Sequence, residues 1–199
     1  MKAMKRILCL ALALSVVFAM TGCNKAPFSQ EAVRKYAEAE DYDEYDDNDE
    51  FYDAVGFFND ERYSYITATK RDARDLFNTI IYRFEIDKPK YDFTEVTALV
   101  ASGDDGFCMI VAATFEDVED AEKFFKKYPK TFELDNEDKG EEKSYSYFIA
   151  NNEGYSSKTT TVALYKSGNT VIWIRSAAYD NDVVEDFCEH FKLISPMDA

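Results

Sequence analysis

The stretch ALVASGDDGFCMIVAATFEDVEDAEKFF, Ala98 to Phe125, decides the fold. Thr94–Ala101 reads as a strand, Ser102–Gly106 as a loop, and Phe107–Phe115 as a second strand. The second strand is almost unbroken in its apolar character, so it is predicted to lie centrally in a sheet. Glu116 and Asp117 then favour a helix start, where backbone N–H groups leave positive charge. Val118, Ala121, Phe124, Phe125 and Tyr128 recur at helical spacing and are predicted to form its inner face, with Pro129 ending it. A second stretch, VALYKSGNTVIWIRSAAYDNDVVEDFC, Val162 to Cys188, has the same order of apolar strand, Ser-Gly turn, apolar strand and acidic helix start. Ser102-Gly103 matches Ser167-Gly168, and Phe124 matches Phe187. Duplication and two hairpins with similar needs both account for the likeness.

Upstream, Tyr63–Ala68 reads as a strand and Thr69 opens a helix, with Asp72 completing part of a capping box. Its expected buried stripe is Ala73, Leu76, Phe77, Ile80 and Phe84. The run DKPKYD, Asp87–Asp92, breaks the chain. Downstream, Lys130–Lys143 reads as a charged loop, Ser144–Ala150, Lys158–Tyr165 and Thr170–Ala177 as strands, and Asn151–Gly154 as a turn. Trp173, between Ile172 and Ile174, is predicted to be core. Asp180 is the expected cap of a last helix whose stripe is Val184, Phe187, Cys188 and Phe191. Nearer the N-terminus, Ser29 can cap a helix with the face Ala32, Val33, Tyr36 and Ala37. Glu40–Phe58 follows, first nearly all Asp, Glu and Tyr, then Phe51, Val55 and Phe58 at helical spacing. The class that fits is α+β: a two-layer sandwich, mostly antiparallel sheet with helices packed on one face, built of two hairpin-plus-helix units. The order from Tyr63 to Ile149 also fits a ferredoxin-like parse.

The first twenty residues, MKAMKRILCLALALSVVFAM, set a basic head (Lys2, Lys5, Arg6) before Ile7–Met20, which is apolar apart from Ser15. A helix of that length rises about 21 Å, short of a hydrocarbon core of about 30 Å. Residues 1–22 are therefore expected to be a secretory signal peptide, cleaved off. Met20-Thr21-Gly22-Cys23 resembles the lipobox of bacterial lipoproteins, with Met20 in place of the usual leucine. The resemblance implies that Cys23 carries a diacylglycerol and becomes the first residue, with residues 23–28 as a lipidated tether. It also implies a place at the cell membrane, lipid-anchored on the extracytoplasmic face. The remaining body is similar in style to short, acidic, Tyr-rich Gram-positive lipoproteins of uncharacterised function. Residues 29–61 are expected to be N-terminal helices with an acidic linker, and 62–199 the α+β domain.

The chain has 23 Lys+Arg against 39 Asp+Glu, a formal net charge of −16, and losing Lys2, Lys5 and Arg6 with the leader takes it to −19. That charge opposes nucleic acid and anionic headgroups, so the membrane is expected to be held through lipid. Cys108 and Cys188 remain in the body. Export permits a disulfide between them, whereas core-facing positions suit two buried thiols. No frame in the acidic stretch 40–53 meets the glycine and glutamate positions of an EF-hand loop, which leaves only weak calcium binding by clustered carboxylates. The single histidine, His190, lies at a helix C-terminus, where its cationic form suits the dipole. No phosphate loop and no nucleophile–base pair is legible. No catalytic, cofactor or metal residue is assigned. The expected function is a membrane-anchored, non-catalytic domain that binds a protein or small ligand, with no cofactor. The alternative is a small extracytoplasmic hydrolase working through carboxylates.

Overall fold

The computed structural model describes residues 27–55, 62–82, 90–103, 106–131, 137–153, 159–178 and 182–197. The leader, Cys23, Phe58, Phe84 and Asp180 lie outside these. The elements run α1 (Gln30–Ala39), β1 (Asp43–Tyr45), α2 (Asn48–Val55), β2 (Arg62–Thr69), α3 (Lys70–Ile81), β3 (Phe93–Gly103), β4 (Gly106–Phe115), α4 (Val118–Thr131), β5 (Glu137–Glu141), β6 (Ser146–Glu153), β7 (Thr159–Ser167), β8 (Thr170–Ala178) and α5 (Asp182–Phe191). The architecture is α+β. One eight-stranded sheet, ordered β1-β2-β3-β4-β8-β7-β6-β5, has the helices packed against it. Every pairing is antiparallel except β1 with β2.

The centre of the sheet is the pair β4 and β8, in register from Gly106↔Ala178 to Thr114↔Thr170. Alternate residues of these strands enter two different cores. Val111, Ala113, Phe115, Val171 and Trp173 join a cluster with Phe51 of α2, Leu76 and Phe77 of α3, and Phe124 and Tyr128 of α4. Cys108, Ile110, Ala112, Ile172 and Ile174 join Val33, Tyr36 and Ala37 of α1 and Val184, Phe187, Cys188 and Phe191 of α5. The helical layer expected from sequence is thus formed by α2, α3 and α4, and α1 with α5 covers the opposite side. A strand buried on both sides has no need of polar alternation, which is why Phe107–Phe115 reads as continuously apolar. Both hairpin-plus-helix units are present. Their matched residues Val100 and Tyr165 face opposite cores, however, so the units share an order of elements and not an orientation. The ferredoxin-like parse fails because β2 pairs directly with β3, with no strand between them.

Local chemistry sets several ends. Ser29 Oγ accepts a hydrogen bond from the Ala32 N–H at 3.2 Å, as its sequence position predicts. Thr69 occupies the N-cap of α3 without a side-chain hydrogen bond. Val118 is 57 % exposed and not on the inner face of α4, because Ala121, Phe124 and Tyr128 already define the buried stripe. On α3, Ile81 and not Ile80 is fully buried. Pro129 lies inside α4, which continues to Thr131; the Thr131 hydroxyl donates to the Lys127 carbonyl at 3.1 Å in that last turn. The acidic stretch is structured. β1 pairs with β2, and Asp47 Oδ1 accepts from the N–H groups of Asp49 and Glu50, capping α2. The charged segment Lys130–Lys143 contains β5, a sheet edge. β6 runs through Asn151 to Glu153, where a turn is expected from sequence.

Lys192 follows α5 with φ +55°. Its N–H donates to the Glu189 carbonyl, and the Leu193 N–H donates to the Cys188 carbonyl at 2.8 Å. This is a Schellman ending, in which the left-handed residue is ordinarily glycine. A lysine there bears a steric cost of about 1 kcal/mol. Lys192→Gly is therefore expected to raise the unfolding free energy by up to about 1 kcal/mol, the gain in backbone fit less the entropy of glycine. Urea unfolding checks this, and a decrease in midpoint would contradict it.

Candidate functional site

Cys108 and Cys188 are buried thiols of the α1–α5 core, not joined in a disulfide. Burial, and then the neighbouring Cys188, push the Cys108 thiol well above the ordinary cysteine range. It is therefore no ready nucleophile. The Tyr165 hydroxyl donates to the Ile194 carbonyl at 2.7 Å and lies 3.7 Å from the Cys188 sulfur. These groups tie the C-terminal segment to β7. His190 is exposed, with its ring 5.1 Å from that of Tyr36 and 4.8 Å from that of Phe191. Among the described residues, no group of three or more His, Cys, Asp or Glu could hold a metal, and no helix is long and apolar enough to cross a membrane.

The feature that stands apart lies on the opposite side of the sheet. Trp173, Arg175 and Ala177 of β8 share the face covered by α2, α3 and α4. Trp173 is 1 % exposed, beneath Tyr128 of α4, with ring centroids 6.2 Å apart. Two residues on, Arg175 is exposed although it sits on a central strand. Its partners across the register are Met109 and Val162, and Phe107 pairs with Ala177 one step further. Met109, Phe107 and Ala177 are half-buried. At the upper ends of β4 and β8 the cover is therefore incomplete, a gap in which the exposed Arg175 guanidinium lies beside the half-buried Met109, Phe107 and Ala177, while Val100 and Val162 of the same row stay buried. Among the described residues Arg175 makes no ion pair and no hydrogen bond.

The buried Tyr128 lies close enough to Arg175 to feel its charge. Burial pushes the Tyr128 phenol up to about 12, with Trp173 and then Arg175 opposing that rise. Tyr128 is therefore a neutral hydrogen-bonding group at ordinary pH and not a base. The Trp173 indole N–H is buried without a partner of hydrogen-bonding geometry. The floor residues include no carboxylate and no imidazole. An arginine that meets no acid among the described residues can hold an anion through its fork of N–H donors but does not itself move a proton. The sequence reading places Trp173 in the core, as observed, and passes over Arg175. Its signal is the one cation in VIWIRSAA, an apolar run that otherwise reads as fully buried.

No family model matches the chain, and no curated protein matches it. Among solved structures, the chain is similar to the extracellular domain of PknH from Mycobacterium tuberculosis, at 11 % identity and a TM-score of 0.41, over 73 % of this chain and 89 % of that one.

Proposed function

We propose that the chain is an extracytoplasmic lipoprotein, held at the cell membrane through a diacylglycerol on Cys23, whose body binds a ligand and performs no catalysis. The observation that carries this reading is the sequence Gly22-Cys23 at the end of a basic-then-apolar leader. The spacing to the body supports it. Phe28 is already 2 % exposed, packed into the α1–α5 core. It lies five positions after Cys23, a reach of at most about 18 Å. A doubly acylated residue so close to the core would keep the body beside the bilayer, and two chains suffice for stable anchoring. The formal charge of −16 opposes attachment to anionic headgroups through the protein surface instead. The binding half of the proposal draws on the gap over β4 and β8, whose single cation and apolar floor suit recognition.

The anchor is tested with Cys23→Ala. Wild-type protein is expected in the membrane fraction and labelled by a fatty-acid probe, and the variant unlabelled and released. Membrane retention of the unlabelled variant would refute the lipid assignment.

A further inference from the structure

We infer that the gap around Arg175 is a binding site for a small apolar monocarboxylate, a specification that rests on the binding reading above. An arginine on a central strand is ordinarily paired or covered, since a cation held against apolar neighbours loses hydration. Here it is exposed and, among the described residues, makes no ion pair or hydrogen bond. Its planar fork matches a carboxylate through two parallel hydrogen bonds. Around it lie the half-buried Met109, Phe107 and Ala177, which offer a ligand's apolar part a surface to cover, while Val162 on its other side is already buried. Met109 brings an adaptable side chain to that floor.

Charge fixes how many anionic groups the ligand carries. Among the described residues one guanidinium lies in the gap, and the chain as a whole bears −16. A second or third negative group would meet only repulsion, so a monoanion is favoured over a polyphosphate or a nucleic acid. Position favours a ligand from solution over a membrane lipid. The Gln30 side-chain amide N–H₂, at the start of α1, donates to the carbonyls of Ala112 and Glu95 and to Thr114 Oγ1, which fixes the tethered end of the body at the lower end of β4. Met109 lies five residues along β4, about 17 Å away, beside Arg175 on the other face. The gap therefore opens away from the tether.

Trp173 is the chain's one tryptophan, two residues from Arg175 on the same face, so its fluorescence reports on the gap. The full chain, purified in detergent, is titrated with 3-phenylpropanoate, with the neutral 3-phenylpropanamide, and with inorganic phosphate. The acid is expected to give a saturable Trp173 response, at least tenfold tighter than the amide or phosphate. Arg175→Met, which keeps the length of the stem and removes the charge, is expected to weaken the acid at least tenfold, and Arg175→Lys to restore part of that loss. Equal affinity for acid and amide, phosphate binding as tightly as the acid, unchanged acid binding in Arg175→Met, or no saturable response would each overturn the site. The Cys23→Ala chain separates the two proposals, because it removes the anchor and leaves the gap intact.

Discussion

Raising the pH above 10 is expected to unfold the protein in one cooperative step. Tyr42, Tyr128 and Tyr165 are buried, and burial is the first cause that raises each phenol above its ordinary value of 10. The folded state thus holds these groups neutral while the unfolded chain ionises them near pH 10. A raised folded value means that the stabilisation is fully present below pH 10 and is lost as the pH climbs toward the folded values. Each group removes about 1.4 kcal/mol per pH unit in that window, and three together about 4 kcal/mol. Against a stability of about 5–15 kcal/mol, the midpoint should fall one to a few units above pH 10. Absorbance of tyrosinate and far-UV circular dichroism are measured along the titration. A block of tyrosines should ionise together with the loss of secondary structure. Gradual ionisation of all fourteen tyrosines near pH 10 with the fold intact would contradict the packing described here.

The second large effect is expected from Phe77→Ala. Phe77 is fully buried at the centre of a ring cluster, with centroids 4.5 Å from Phe93, 5.2 Å from Phe124, 5.9 Å from Phe115 and 6.2 Å from Tyr82. Its ring meets rings from β3, β4 and α4 at once. Truncation removes the transfer energy of the ring and leaves a cavity that four large neighbours cannot easily close, a cost of about 3–5 kcal/mol. Urea unfolding should show a lower midpoint with an unchanged slope. Phe77→Leu, which refills much of the volume, should recover more than half of the loss. A cost below about 1 kcal/mol for the alanine variant would mean that α3 is held by something other than these rings.

The strands and helices that bury apolar residues on a regular period are legible from sequence: β2, β3, β4, β6, β7, β8 and the stripes of α1, α3, α4 and α5. The edges are not. β1 and β5 each pair with one neighbour and carry mainly exposed residues, so neither alternation nor apolar run marks them. Asp47 reads as one more acid in a run of acids, and only the positions of the Asp49 and Glu50 N–H groups show it to be a cap. Which face a helix takes is set by the path of its connection, which periodicity does not encode. That is why Phe124 and Phe187, alike in sequence, lie in separate cores. The candidate site was half visible. Trp173 is predictable as core from its neighbours, whereas the exposure of Arg175 depends on where α4 stops relative to β8, a relation between segments about fifty residues apart in sequence.

The two outermost strands bear on how this protein tolerates crowding. β1 presents Asp43 and Glu44, and β5 presents Glu137, Asp138 and Glu141 with Lys139 as its cation, all exposed. A second copy adding to either rim would bring its own acids within about 5 Å, the spacing of neighbouring strands. Like charges at that distance oppose the pairing. An eight-stranded sheet that ended in neutral strands would be a template for cross-β growth. This one carries its own inhibitor at both ends, and neutralising those five acids should convert a colloidally stable protein into one that seeds fibrils.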